Sequence, residues 1–258
     1  MPELALVGSL EGPAAAPVLV LGNSLGTSRA VWEPQLATFR RHFRLLRYEY
    51  PGHGGTPAAP GPYTIGELGA GVLTLLDAYR IERAHYCGIS LGGMIGMWLA
   101  AHAPDRIAAL GLCCTSAFLP PASGWTGRAG QVRAHGMASI TEQSIGRWFP
   151  PLFVAREPGV PAAFAAELEA TDPEGYAGCC EAIAAMDLRP ALASITAPTL
   201  VVAAADDPAT PPAHGAVIAS GIAGARLVVI RGAAHLANVS AAAQVSCTLL
   251  GGLWPAAA

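Results

Sequence analysis

Lysine is missing from this sequence, in which all 15 basic residues are arginine. Without a lysine amine, the chain cannot form a Schiff base, hold pyridoxal phosphate covalently or supply the lysine of a phosphate-binding P-loop. Charged residues of both signs are few, at 13% of 258 residues, and they leave a formal net charge of −3. Because no basic run is present, a nucleic acid is not expected as a partner.

Long apolar runs and a basic leader are lacking as well. Glycine, proline, arginine or aspartate interrupts each hydrophobic stretch before it reaches the ~18 residues that a membrane span needs. The opening residues, Met1, Pro2 and Glu3, lack the basic start of a secretory signal peptide. These absences predict a protein of the cytoplasm with no membrane partner.

The six cysteines do not form a recognisable metal or redox motif. They stand at positions 87, 113, 114, 179, 180 and 247, and no CxxC pair occurs among them. A zinc site needs cysteine and histidine ligands at characteristic spacings, which this sequence lacks. We therefore predict buried, reduced thiols and neither a metal nor a cofactor.

The apolar residues, 52% of the chain, are ample for one large α/β domain or two small ones. Strand-like apolar runs alternate with helical patterns, which favours a mostly parallel twisted sheet with helices on both faces. The predicted strands are residues 17–22, 43–50, 84–89, 107–114, 199–203 and 226–230. The predicted helices are residues 31–41, 64–79, 91–102 and 241–253.

Residues 119–190 break this alternation. They are rich in proline and glycine, contain several short helical patterns and include no convincing strand. The segment predicts a helical lid, called the insertion below, within a core formed by residues 1–118 and 191–258. Trp125 and Trp148 lie in the insertion, where they either wall a substrate pocket or simply pack the lid.

The pattern GxSxG occurs twice, at residues 22–26 and 88–92. As a nucleophile motif it needs a sharp turn from a strand into a helix, which lifts the serine hydroxyl clear of the sheet. Ser90 meets this condition because a predicted strand ends directly before it and a predicted helix begins directly after it. Ser24 meets it less well, since a loop follows its strand. We therefore predict that Ser90 is the nucleophile.

Ser24 is predicted to lie beside the nucleophile and to contact the substrate. In this architecture, the loop after an early strand supplies the second backbone N–H group of the oxyanion hole. The first N–H group belongs to the residue that follows the nucleophile. The amides of Leu25 and Leu91 are therefore the predicted pair of donors.

A serine nucleophile needs a base, and the base needs a third group to orient it. Among the seven histidines, His235 is placed best, in a loop between a predicted strand and the last helix. Asp206 and Asp207 both follow the predicted strand at residues 199–203, and both are candidates for the acid. The turn that begins at Pro208 favours Asp207. The chain order Ser90, Asp207, His235 is that of α/β-hydrolases.

Several stretches of this chain match one group of hydrolases. The most specific are NSLGT at 23–27, IERAHYCG at 81–88 and GAAHLANV at 232–239, and RWFPPLF at 147–153 extends the match into the insertion. On these stretches, which span the chain, the protein resembles α/β-hydrolases of the 3-oxoadipate enol-lactonase type. The resemblance implies the α/β-hydrolase fold with a helical lid.

The resemblance also implies a reaction, the hydrolysis of 3-oxoadipate enol-lactone to 3-oxoadipate in the breakdown of aromatic compounds. Ser90 would form an acyl-enzyme with this small-molecule substrate, and no cofactor or metal would be needed. Because the substrate carries a carboxylate, a cationic anchor is expected. Arg128 and Arg133, which follow Trp125 in the insertion, are the two candidates; the alternative is that both are solvated lid charges.

Other activities remain open because the chain departs from the family at Glu49, Tyr50 and Pro51, where Asp-Thr-Arg is common. The nearest alternative is an esterase, thioesterase or lactonase with another substrate, such as a biosynthetic one, or a cofactor-free haloperoxidase-like activity. A dehalogenase is disfavoured, because it needs aspartate where Ser90 stands. The alternative of another class is a non-hydrolytic protein with this fold, which a serine-reactive phosphonate would leave unlabelled. The oligomeric state does not follow from the sequence.

Overall fold

The computed structural model describes Leu4 and residues 6–254. In this part of the chain, seven strands form one sheet with the order β1-β3-β2-β4-β5-β6-β7. The strands are β1 (Val7–Glu11), β2 (Val18–Gly22), β3 (Arg44–Glu49), β4 (Ala84–Ile89), β5 (Ile107–Cys113), β6 (Thr199–Ala204) and β7 (Arg226–Ile230). Only β1 is antiparallel to its neighbour, while the other five pairings are parallel. The predicted mostly parallel sheet is confirmed.

The helices in the described part of the chain alternate with the strands outside the insertion. They are α1 (Glu33–Phe39), α2 (Ile65–Ala78), α3 (Leu91–His102), α4 (Ala122–His135), α5 (Ala138–Trp148), α6 (Pro151–Arg156), α7 (Gly159–Glu169), α8 (Pro173–Ala185), α9 (Pro212–Gly221), α10 (Ala237–Ser240) and α11 (Ala242–Leu253). Helices α2 and α3 pack together, and so do α1 and α11, and these two groups cover the two faces of the sheet.

Local sequence signals explain several helix boundaries. Helix α2 begins after Thr64, whose hydroxyl accepts a hydrogen bond from Glu67 N at 3.1 Å while the Glu67 carboxylate accepts one from Thr64 N at 2.8 Å. This reciprocal pair is a capping box, and it satisfies donors that the first helical turn leaves free. The predicted last helix, residues 241–253, corresponds to α11, and the chain turns at Ala241 between it and the short helix α10.

The edge strand β1 was not predicted from the sequence. Its residues, VGSLE, are exposed or only half-buried, whereas the strands in the middle of the sheet are almost wholly buried. A buried parallel strand shows itself as a continuous apolar run, but an edge strand that is wet on both faces has no such run. It forms here by antiparallel pairing with β3, a contact between distant parts of the fold rather than a local preference.

The insertion is helical. Residues 119–190, all of which the structure describes, contain α4 to α8 and no strand, and α4 packs along α8. No helix in the described part of the chain is long and apolar enough to cross a membrane. The carboxyl ends of the parallel strands β4, β6 and β7 meet at one edge of the sheet, which is where open α/β sheets place their ligands.

Candidate active site

Ser90 occupies a strained turn between β4 and α3. Its φ of 55° and ψ of −116° lie in a region that residues with a side chain rarely adopt, at a typical cost of ~1–3 kcal/mol. Ser90 N donates to Cys113 O at 3.0 Å, and the Thr115 hydroxyl donates to Ser90 O at 2.7 Å. These bonds hold the turn on the neighbouring strand β5, so the hydroxyl faces away from the sheet.

The two GxSxG copies pack against each other at this turn. A Cβ added to Gly88 would lie 2.2 Å from the Gly92 carbonyl, and one added to Gly92 would lie 2.3 Å from Gly22 O. Gly22 belongs to the first copy, while Gly88 and Gly92 belong to the second. This close backbone contact therefore explains three of the four motif glycines, Gly22, Gly88 and Gly92, although only the second copy forms the strand-to-helix turn.

Substituting Gly88 by alanine is expected to reduce the free energy of unfolding by ~1–3 kcal/mol, the usual cost of overpacking. The matched control is Gly130→Ala in α4, where an added Cβ meets no atom within 4 Å. This control should increase stability by ~0.5–1 kcal/mol, because alanine is the better helix former. Urea unfolding followed by circular dichroism measures both, and equal values for the two variants would contradict the packing argument.

Ser90, His235 and Asp207 form a continuous hydrogen-bonded chain. His235 Nε2 lies 2.9 Å from Ser90 Oγ, and His235 Nδ1 lies 2.8 Å from Asp207 Oδ2. The carboxylate can only accept at Nδ1, so this nitrogen carries the proton and Nε2 is the acceptor for the serine hydroxyl. All three residues are buried, and they come from the ends of β4, β6 and β7.

Asp207 is held as a carboxylate by its turn. One oxygen accepts from Ala209 N at 2.8 Å and Thr210 N at 3.0 Å, and the other accepts from the Thr210 hydroxyl at 2.7 Å. Burial alone would raise the pKa of Asp207, but His235 and these hydrogen bonds outweigh it and lower the pKa below its ordinary value. The neighbouring Asp206 is exposed, so of the two aspartates only Asp207 reaches the histidine.

The insertion holds the histidine loop from the other side. His235 N donates to Arg147 O at 3.3 Å, and Leu236 N donates to Trp148 O at 3.0 Å. Both acceptors lie at the C-terminal end of α5, where helical carbonyls lack partners within the helix. The insertion therefore fixes the backbone that carries His235, in addition to covering the site.

Two backbone N–H groups beside Ser90 are available to a ligand. Within the described part of the chain, neither Leu25 N nor Leu91 N makes a hydrogen bond. The two loops that carry them are joined, because Gly92 N donates to Asn23 O at 2.9 Å. Leu91 N lies at the first position of α3, where the helix dipole adds positive potential.

A cavity opens above Ser90 and His235. Four of the substrate contacts predicted from the sequence line it, Ser24, Trp125, Arg128 and Trp148, together with Leu25. The remaining lining residues are Ser144, Arg147, Tyr176, Ile183 and Ala209, most of them from the insertion. Here a buried serine contacts a histidine that a carboxylate orients, and the serine faces the cavity. Serine enzymes that attack acyl carbons use this arrangement. No group of three or more potential metal ligands occurs among the described residues.

Comparison with known proteins agrees with this geometry. One family model, of the alpha/beta hydrolase fold, matches residues 17–134, and a second, of a TAP-like protein, matches residues 174–255. 3-Oxoadipate enol-lactonase 2 of Acinetobacter baylyi is 39% identical over 237 residues, which are 92% of this chain and 88% of that protein. The chain belongs to the α/β-hydrolase family. The predicted fold class is thereby confirmed.

Two further proteins are similar to this hydrolase. The enol-lactonase from Burkholderia xenovorans LB400, which has a crystal structure, is 42% identical in sequence to this chain. The two structures superpose with a TM-score of 0.93, and 95% of each chain is covered. RutD of Azorhizobium caulinodans, whose name describes it provisionally as a carbamate hydrolase, is 30% identical over 229 residues, 86% of this chain and 85% of that protein.

The prediction for Arg133 is corrected by the structure of this hydrolase. Its guanidinium does not line the cavity but forms ion pairs with Glu174 at 2.7 Å and Glu181 at 2.5 Å, both on α8. These two carboxylates raise the pKa of Arg133 further above its ordinary value. Helix α4 turns Arg133 towards α8, whereas Arg128, five residues earlier, lies on the side of the helix that faces the cavity.

Arg147 is the cation that sequence reasoning missed. It lies in the RWFPPLF stretch, so the resemblance contained a signal, but nothing local showed that the end of α5 reaches the cavity. Within the described residues its guanidinium forms no ion pair with a carboxylate. Burial and the charge of Arg128 lower the pKa of Arg147 from its ordinary value, and Tyr176 opposes them only in part.

Arg128 is also without a carboxylate partner in the described part of this hydrolase. Its guanidinium donates to Tyr176 OH at 2.7 Å, to Ser144 Oγ at 2.6 Å and to Gln143 Oε1 at 3.1 Å. All three acceptors are neutral, so the hydrogen bonds fix the guanidinium without cancelling its charge. Arg128 and Arg147 together make the cavity electropositive.

Proposed function

We propose that this hydrolase opens a small carboxylated enol-lactone, 3-oxoadipate enol-lactone, to give 3-oxoadipate through an acyl-enzyme. The observation that carries the proposal is the pair Arg128 and Arg147, two cations that pair with no carboxylate among the described residues and that line the cavity containing Ser90 and His235. A substrate that is both an ester and an anion fits this combination. The relatives named as 3-oxoadipate enol-lactonases support the choice of lactone. In this proposal the reaction would serve the breakdown of aromatic compounds.

The first half of the reaction forms the acyl-enzyme. Ser90 Oγ attacks the lactone carbonyl carbon while His235 Nε2 takes the hydroxyl proton, and Asp207 stabilises the resulting imidazolium. The carbonyl oxygen becomes an oxyanion that Leu25 N and Leu91 N bind, and one such donor is worth ~10²–10³ in rate. The ring C–O bond then breaks, and the enol oxygen leaves with the proton that His235 returns.

The second half releases the product with the same groups. The enol oxygen is a good leaving group, and the later tautomerisation of the enol to a ketone draws the ring opening forward. Water takes the place of the leaving group, His235 removes one of its protons, and the hydroxide equivalent attacks the acyl carbon. Collapse of this second oxyanion returns the proton to Ser90 and frees the carboxylate of 3-oxoadipate.

The two arginines hold the substrate by its carboxylate. A guanidinium matches the two oxygens of a carboxylate, and such charge-assisted hydrogen bonds are about twice as strong as neutral ones. Arg147 is free to turn towards the ligand, whereas Arg128 is already fixed by three hydrogen bonds. Arg128 therefore supplies a fixed positive charge, and Arg147 closes on the carboxylate.

Replacing Arg147 by glutamine is expected to raise KM for the enol-lactone by about 10- to 100-fold, since a hydrogen bond to a charged group contributes ~1.5–3 kcal/mol. Hydrolysis of p-nitrophenyl acetate, which lacks the carboxylate, should change less than about twofold, because the variant removes only the anion contact. The matched control is Arg133→Gln, which removes an arginine that does not line the cavity. A parallel loss on both esters would contradict carboxylate binding by Arg147.

The activity itself is tested by the loss of ultraviolet absorbance of freshly generated 3-oxoadipate enol-lactone. Turnover of this lactone well above that of uncharged esters supports the proposal. If the lactone is untouched while other esters or a carbamate are hydrolysed, the family and the site stand but the substrate is wrong. If a fluorophosphonate also fails to label Ser90, the protein is not a serine hydrolase.

A further inference from the structure

We propose that His53 is a positioning residue for the oxyanion hole: its imidazole accepts a hydrogen bond from Gly26 and so holds the loop that presents Leu25 N–H to the substrate. The inference rests on the proposed function, because it assigns Leu25 N to the oxyanion. His53 lies in the PGHGG segment, residues 51–55, which follows β3.

The hydrogen bonds of His53 define its tautomer. Gly26 N lies 3.1 Å from His53 Nε2, and His53 Nδ1 lies 3.0 Å from Pro51 O. A carbonyl oxygen can only accept, so Nδ1 carries the proton and Nε2 offers its lone pair to Gly26. The ring is completely buried, and burial lowers the pKa of His53 to about 4. At neutral pH the ring is therefore uncharged and keeps this acceptor.

Both peptide groups that flank Leu25 are fixed. Ser24 O accepts from Thr27 N at 3.2 Å and from the Thr27 hydroxyl at 3.0 Å. In a planar trans peptide the N–H points opposite to the C=O, so the bonds to Ser24 O also fix the direction of the Leu25 N–H. The next peptide is fixed by Gly26 N on His53 Nε2, and Gly26 has a positive φ of 78° that favours glycine. Without this second anchor, rotation about Leu25 would change the direction of its N–H.

Aromatic side chains enclose the ring of His53. His53 is enclosed by Tyr50, whose ring meets it edge-on at 5.6 Å, and by Tyr176, which is stacked on it at 6.4 Å. Tyr50 OH also donates to Asn23 O at 2.9 Å, so the same aromatic group supports the start of the loop. Removing the imidazole nitrogen would leave Gly26 N–H buried without a partner, and such a group tends to rearrange.

The test compares His53→Leu, which removes the acceptor, with His53→Gln, whose side-chain oxygen can occupy the position of Nε2. We expect His53→Leu to reduce kcat by about 10- to 100-fold with KM changed less than twofold, a partial loss of one oxyanion donor. His53→Gln should recover most of kcat. The control His135→Leu replaces an exposed histidine of α4 and should leave kcat unchanged.

The readouts separate positioning from folding and from the substrate assignment. A trifluoromethyl ketone that forms a tetrahedral adduct on Ser90 should lose affinity in His53→Leu in proportion to kcat, while product binding stays constant. The rates are measured with p-nitrophenyl acetate and with fluorophosphonate labelling as well as with the lactone. If the native protein hydrolyses p-nitrophenyl acetate but not the lactone, the proposed substrate is refuted, while the role of His53 is still tested by the other rates.

Three results would overturn the inference. They are a folded His53→Leu variant with native kcat, equal losses in the leucine and glutamine variants, and an unchanged affinity for the ketone. If His53→Leu does not fold, long-range ¹H–¹⁵N spectra of the native protein decide, because they identify the protonated ring nitrogen. A proton on Nε2 of His53 would exclude it as the acceptor for Gly26, whereas a proton on Nδ1 supports the inference.

Discussion

Replacing Ser90 by alanine is expected to reduce kcat for the enol-lactone by about 10⁴- to 10⁶-fold, the loss typical of removing the nucleophile from a triad. The variant keeps a small side chain and the turn at position 90, but it lacks the hydroxyl whose oxygen lies 2.9 Å from His235 Nε2. No acyl-enzyme can then form, and only binding and the oxyanion donors remain. Loss of ultraviolet absorbance of the lactone measures the rate, and circular dichroism checks the fold.

The matched control is Ser24→Ala, which removes the serine of the other GxSxG copy. Ser24 is buried and lines the same cavity, but His235 contacts Ser90 instead. We expect the loss from Ser24→Ala to be less than about tenfold, the size of one hydrogen bond to the substrate. If Ser24→Ala abolishes turnover and Ser90→Ala does not, the nucleophile is assigned to the wrong copy.

Replacing Asp207 by asparagine is expected to reduce kcat by ~10⁴-fold while leaving the fold intact. The asparagine amide can donate to His235 Nδ1, which favours the tautomer with the proton on Nε2. In that tautomer the imidazole cannot accept the proton of Ser90, and no carboxylate stabilises the imidazolium. The pH profile of kcat and the rate of fluorophosphonate labelling both measure the effect, since both need the base.

Asp206→Asn is the matched control for this second prediction. It makes the same chemical change one residue earlier, on an exposed side chain at the surface of the turn. Its kcat should stay within about twofold of the native value, because an exposed charge has little influence in water. Similar losses in the two variants would show that the turn as a whole, rather than the Asp207 carboxylate, is needed.

The positions of the strand ends explain why so much of the site could be predicted from the sequence. In a parallel sheet, the carboxyl ends of neighbouring strands meet at one edge, so residues far apart in the chain become neighbours once the strands are recognised. Ser90 follows a predicted strand directly, His235 lies in the loop after another, and the structure brings them together. The choice between Asp206 and Asp207 rested on a proline turn, and the hydrogen bonds of Thr210 and Ala209 show how that turn aims Asp207 inwards.

The residues of the insertion were less predictable. The sequence indicated several short helical patterns without a register between them, so it did not show which side of α4 or α5 faces the cavity. Arg128 and Arg133 had equal claims, yet Arg133 pairs with Glu174 and Glu181 on the neighbouring helix. Arg147 had no claim at all from spacing, because its position depends on how α5 meets the histidine loop.

The sequence by itself determined the parallel sheet, the strained turn at Ser90 and the order of the three strand-end residues. These features depend on local patterns, namely buried apolar runs, glycines at close backbone contacts and the turns that end each strand. Only the tertiary structure decided which cations face the cavity and that His53 reaches the Leu25 loop. His53 and Gly26, for example, are 27 residues apart, and contacts of this kind are set by packing between elements, which no local pattern records.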